Sequence, residues 1–161
     1  MTIKALSIRQ PWAWAITTLG KDIENRTWST KHRGPVLIHA GAGVKAADVE
    51  AFLGMVAADT ELQARLEAAG GLQLDRLRAV SGGIVGAAEI TGCVKASSSP
   101  WFFGPVGFVL ANAHALPFRP CKGALQFFVP DMLPAELQGV VAGTALADRF
   151  AKPAGEQFRL F

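Results

Sequence analysis

The apolar positions of this chain fall in short runs broken by Gly, Pro and charged residues, and few runs hold a helical period. "IKALSI", Ile3 to Ile8, is short and rich in Ile and Leu, which predicts a strand. Pro11 follows and suits a first helical turn, where its missing N–H costs nothing. Ala13, Trp14, Ala15 and Ile16 continue that helix, and Gly20 is placed to end it. Trp12 and Trp14 lie about 200° apart on it, so one is expected in the core and the other on a surface. "DIENRTW" lacks a helical period and carries the β-formers Ile23, Thr27 and Trp28, so it predicts a strand. On that strand Asp22, Glu24, Arg26 and Trp28 share one face, and Ile23, Asn25 and Thr27 the other. "KHRG" reads as a basic turn closing at Gly34, and "PVLIHAG" as a buried strand ending at His39.

Residues 44–70 carry the long helical signal. Val44, Phe52, Leu53 and Val56 form its apolar side, with Lys45, Asp48 and Glu50 outside. "TELQARLEAAGG" predicts a second helix, with Thr60 and Gln63 as a capping box and Gly70-Gly71 as its stop. Gly82 to Ala96 is β-rich and predicts a long bent strand whose glycines mark bends or close approaches. A turn and a strand at Phe108–Leu110 come next, then a strand in "GALQFFVP" and a short helix in "PAELQGVV". The pattern implies an α+β, barrel-like fold of five or six strands, with helices inserted after the third. One domain is expected over 1–145, with a helical insertion at about 44–78 and a C-terminal tail over 146–161.

Composition narrows the class. Half of the 161 residues are apolar and 18% are charged, a globular balance. No apolar run approaches the ~20 residues that span a bilayer. The N-terminal "MTIKALSIRQ" has no signal-peptide character, so a cytoplasmic protein is expected. Cys93 and Cys121 lack disulfide-framework or metal-ligand spacing, and His32, His39 and His114 form no metal pattern. No cofactor is expected, and metal dependence is left open.

Net charge is only +3, but it is unevenly spread. Residues 1–40 hold Lys4, Arg9, Lys21, Arg26, Lys31 and Arg33 against Asp22 and Glu24. A basic end on a near-neutral body suggests an anionic partner, nucleic acid first, or simply a solvated face.

Candidate chemistry gathers in "GKDIENRTW". Lys21 can serve as base or nucleophile if its pKa falls, and Glu24 as general acid or base. Arg26 can bind phosphate or a carbonyl with its planar fork. The plain alternative is an ion pair of strand neighbours, which if exposed contributes only ~0–1 kcal/mol. Phosphate-loop and serine-triad motifs are absent.

"LSIRQPWAWAI", followed by "GKDIENRTW" and "RGPVLIHAG", resembles the start of an ASCH domain. The family's G-x-K-x-x-E-x-R hallmark is matched at Lys21, Glu24 and Arg26, while its glycine position holds Leu19 with Gly20 beside it. The resemblance continues in "SSPWFFGPVGFVL" and "PCKGALQFF", leaving out the 44–78 insertion and the tail. It implies a PUA-like β-pseudo-barrel, a fold that commonly binds RNA, with a helix after the first strand. It also implies a cleft between that helix and the barrel, lined by the motif. Some small relatives remove the acetyl group from acetylcytidine with a lysine, a threonine three residues later and a distant glutamate. Here the threonine position is Glu24, and no acid lies between "GCVKA" and Asp131. Other relatives act as ribonucleases.

The resulting expectation is an RNA- or nucleotide-binding protein of the bacterial cytosol. Lys21 and Arg26 would meet phosphate or base carbonyls, and Trp12 or Trp28 would stack a base. Arg9, Lys31 and Arg33 would extend a basic rim. Ser7, Gln10 and His39 are further polar candidates, with a core role equally open to His39. Trp101 is expected to anchor a loop. Glu89 is an outside candidate for the missing acid. The alternatives are a hydrolase of RNA or of a modified nucleoside using Lys21 and Glu24, and a non-catalytic protein-interaction module.

Overall fold

A computed structural model describes residues 3–131. The helix expected at "PAELQGVV" and the tail lie outside the described residues.

The first strand, β1, spans Lys4–Gln10 and leads through Pro11 into helix α1, Trp12–Thr18. Strands β2 (Ile23–Arg26) and β3 (Gly34–Val44) follow. Three helices, α2 (Ala46–Ala57), α3 (Thr60–Ala68) and α4 (Leu74–Ala79), precede β4 (Gly83–Val94), β5 (Val106–Pro120) and the short β6 (Phe127–Phe128). The helices thus sit after the third strand, as the sequence pattern predicts. The six strands form one sheet in the order β2-β5-β4-β3-β1-β6, with β1 and β3 parallel and the other pairs antiparallel. The architecture is the expected mixed α+β one, a curled sheet with α1 packed on it.

Strand lengths differ from the sequence reading where bulges intervene. β5 runs for 15 residues instead of three. Pro117 and Asn112 argue against a central strand there. Both fall at breaks in the pairing with β4, between Ile84 and Gly86 and between Ala87 and Glu89, and Asn112 takes φ 51°. The bulges absorb the residues that a regular ladder would reject. β3 likewise continues past His39 to Val44, with a register shift at Ile38/His39. β2 is shorter than expected and ends at Arg26, so Trp28 lies beyond it.

Two core clusters matter for the site. One joins Leu6, Ile8, Ile16, Ile38, Ile90 and Phe108 between α1 and the sheet. Gly86 allows this approach, because a Cβ there would collide with Thr17 and with the His114 carbonyl. The other joins Ala15, Leu19 and Ile23 to Phe52, Val56 and Leu62 of the inserted helices and to Trp101. The insertion is therefore docked on α1 and β2.

Two helix details correct the sequence reading. Asp59, not Thr60, caps α3, its carboxylate accepting from the Glu61 and Leu62 amides at 2.9 and 3.1 Å. On α2, Leu53 is exposed and Asp48 is buried. The inward stripe is Asp48, Phe52 and Val56, an i, i+4, i+8 row.

Candidate functional site

α1 stops where Gly20 takes φ +72°, a conformation that costs glycine little. The Lys21 amide then donates back to the Ala15 carbonyl at 3.1 Å, and Arg65 of α3 donates to the Leu19 carbonyl at 3.2 Å. The glycine of the hallmark thus has its conformational counterpart at Gly20, while Leu19 is a core residue, 2% exposed. This turn delivers Lys21 inward, at the head of β2.

β2 pairs Glu24 with Phe108 and Arg26 with Val106 of β5. Lys21 is 3% exposed, and its Nζ donates to the Ile23 carbonyl and lies 3.5 Å from Glu24 Oε2. Arg26 Nη2 lies 3.1 Å from Glu24 Oε1 and donates to the Ser7 carbonyl at 2.8 Å. One buried carboxylate therefore joins two cations. The Lys21 ammonium is 5.9 Å from the ring centroids of both Trp12 and Trp101. Burial pushes its pKa below the usual lysine value, against the pull of Glu24 and Asp22, with Arg26 adding to the fall. Arg26 Nε is buried with no hydrogen-bond partner among the described residues.

These three side chains lie in a cleft of about 940 Å³. One wall carries Ser7, Ile8, Arg9 and Trp12 from β1 and α1. The facing wall is the insertion, with Asp48, Ala51, Met55 and Leu62 among its lining residues. Asn25, Pro100 and Phe103 complete the rim.

The expected site residues divide by place. Lys21, Glu24, Arg26, Arg9, Trp12 and Ser7 all line the cleft. Gln10 does not line it; its carboxamide oxygen accepts from the Trp14 amide at 2.9 Å and holds the start of α1. Trp28 packs edge-on against Phe108 and Phe127, away from the lining. Lys31 and Arg33 lie on the exposed loop before β3, and Arg33 donates to its own loop carbonyls at Thr30 and His32. His39 is buried behind β1. Its Nε2 donates to the Cys121 carbonyl at 2.9 Å, which leaves Nδ1 as acceptor for the Ser7 hydroxyl at 3.0 Å. Burial lowers the His39 pKa, so this neutral arrangement is favoured. Glu89 is half-buried on β4 and does not line the cleft. Trp12 and Trp14 do not split between core and surface: both are half-buried and pack edge-on against Phe52. Trp101 is 2% exposed and anchors its loop.

Asp48, Asn25 and Phe103 are among the cleft residues that the sequence reading did not single out. Asp48 accepts from Trp12 Nε1 at 3.2 Å and pairs with Arg9 at 3.3 Å. Its signal was the four-residue spacing to Phe52 and Val56, which puts it on the inner stripe. Asn25 of β2 holds the loop that carries Phe103 by hydrogen bonds no local pattern encodes. Among the described residues no three His, Cys, Asp or Glu side chains gather as a metal site would require.

A curled six-stranded sheet, one helix closing it and a cleft built on a lysine, a glutamate and an arginine define a PUA-like protein of α+β class. The chain belongs to the ASCH domain family, whose model matches residues 6–115. No curated protein matches the chain closely enough to add a relative to that assignment.

Proposed function

We propose that this protein binds RNA, or a nucleotide from it, in the cleft above Lys21, Glu24 and Arg26. The observation that carries the reading is Arg26. Its guanidinium is oriented by Glu24 and the Ser7 carbonyl, while its buried Nε–H has no acceptor among the described residues. The side chain lines the cleft and is 19% exposed, so the accessible part of its planar fork can donate to a base carbonyl or phosphate oxygen that enters. Membership of the ASCH family, a PUA-like domain of the RNA-binding type, supports the same reading. Among the described residues no helix is long and apolar enough to cross a membrane. The proposal extends to residues 1–145 as one domain that includes the helical insertion.

Equilibrium binding of short single-stranded RNA and of mononucleotides tests it. Arg26→Lys keeps the charge and loses the fork, so affinity is expected to fall about tenfold. Absence of any affinity in the unaltered protein at moderate salt refutes the proposal.

A second reading, hydrolysis of RNA or of a modified nucleoside, is favoured by the state of Lys21. An almost fully buried ammonium with a lowered pKa, 3.5 Å from a carboxylate, is suited to proton transfer or nucleophilic attack. Incubation with a total-RNA digest, read by mass spectrometry, is expected to show loss of one species that Lys21→Ala abolishes. Equal turnover in that variant excludes the lysine mechanism.

A further inference from the structure

Phe103 is 64% exposed, the most exposed aromatic side chain among the large hydrophobics on the described surface, and it stands at the cleft rim. An exposed phenylalanine on a mobile loop would be unremarked surface. This loop is pinned at several points. Asn25 Oδ1 accepts from the Phe103 amide at 2.7 Å and from the Gly104 amide at 3.0 Å, and Asn25 Nδ2 donates to the Trp101 carbonyl at 2.9 Å. Ser99 donates to Asp22 at 2.5 Å, and the buried Trp101 ring fastens the loop into the core. The backbone that carries Phe103 is thus held in place beside the motif strand, so only the ring's own rotation is left to be ordered when something settles on it.

The charges of the cleft indicate what settles there. Arg9, Lys21 and Arg26 line it, and so do Glu24, Asp48 and Asp59. The three cations equal the three carboxylates in number: Arg9 is engaged by Asp48, and Lys21 and Arg26 share Glu24. A phosphate inside would meet as much negative as positive charge. An uncharged ring with a carbonyl acceptor for Arg26 meets no such opposition.

We infer that Phe103 is a stacking platform that makes the cleft select a flat, uncharged heterocycle, leaving any phosphate outside. This deepens the nucleotide-binding reading and rests on it. Base–aromatic stacking is sequence-tolerant, so Phe103 acts on ring against no ring, while Arg26 reads the ring's acceptor.

The test is titration of the full chain with the four ribonucleosides, followed through tryptophan fluorescence, since Trp12 lines the same cleft. Phe103→Ala and Phe103→Leu are both expected to weaken binding about tenfold or more, and Phe103→Tyr to keep it. Ribose 5-phosphate is expected not to compete, and affinity to change less than about twofold between low and moderate salt. The high exposure of Phe103 makes all three variants tolerable to the fold. Unchanged affinity in Phe103→Ala, or tight binding that needs the phosphate, overturns the inference and leaves the nucleotide-binding reading standing. An unaltered protein that binds no nucleoside, nucleotide or RNA overturns both. Capture of an aromatic peptide in preference to any nucleoside also overturns it.

Discussion

At the scale of single residues, the motif is a problem in burying charge. Glu24 stabilises two cations at once, and removing one member of such a buried group leaves its partners uncompensated. Glu24→Gln is expected to cost about 3 kcal/mol, measured by urea unfolding at neutral pH. His39 gives a pH signature of its own. Its folded-state pKa lies below the ordinary 6.5, so the unfolded chain takes up the proton first. That contribution to stability is complete above pH 6.5 and is lost as pH falls from there toward the folded-state pKa. His39→Gln is expected to flatten the decline in unfolding midpoint between about pH 7 and 5. An equal slope in both proteins would show that other groups control it. Lys21, Glu24 and Arg26 stood out in sequence because they match the family hallmark; their spacing alone is also that of an ordinary ion pair of strand neighbours. Whether they made an exposed ion pair or a buried triad was not legible, since burial depends on Trp12, Trp101 and the insertion closing over them.

At the scale of elements, the insertion is a wall of the cleft. α2 reaches α1 through Phe52, which is fully buried between Trp12 and Trp14. Phe52→Ala is expected to destabilise by about 3–5 kcal/mol and to weaken ligand binding together with stability. The check is one variant measured twice, by denaturant midpoint and by nucleoside affinity. Retained affinity would mean that the wall is dispensable to the site. The helices themselves were legible from periodicity, and Gly70 and Gly71 stop α3 as read, both at positive φ. The facing of α2 was misjudged by about one position in the turn, because Leu53 outweighs Asp48 in any apolar count. An aspartate can occupy an inner stripe only when partners wait for it. Those partners, Arg9 and Trp12, lie on elements far away in sequence.

At the scale of the whole molecule, the basic N-terminal region does not become a basic cleft. Lys31 and Arg33 project from the loop before β3, and the cleft itself is electrically balanced. A count of charge along a chain says how many cations exist; folding decides which of them face one another. The curled sheet was legible as a class, from short β-rich runs and glycine punctuation. The length of β5 was not, because bulges at Asn112 and Pro117 let a strand pass through residues that normally end one.

The pairing of β2 with β5 also dictates when the site can exist. Asn25 reaches its partner Trp101 across 76 positions, and the motif strand has its whole sheet contact in β5. Contacts so distant along the chain close late, after local helices and hairpins have formed. During synthesis the charged motif leaves the ribosome early, with the first helix, and waits in the open for its other half. A nascent chain halted at residue 100 would carry every motif residue and lack the strand that β2 pairs with.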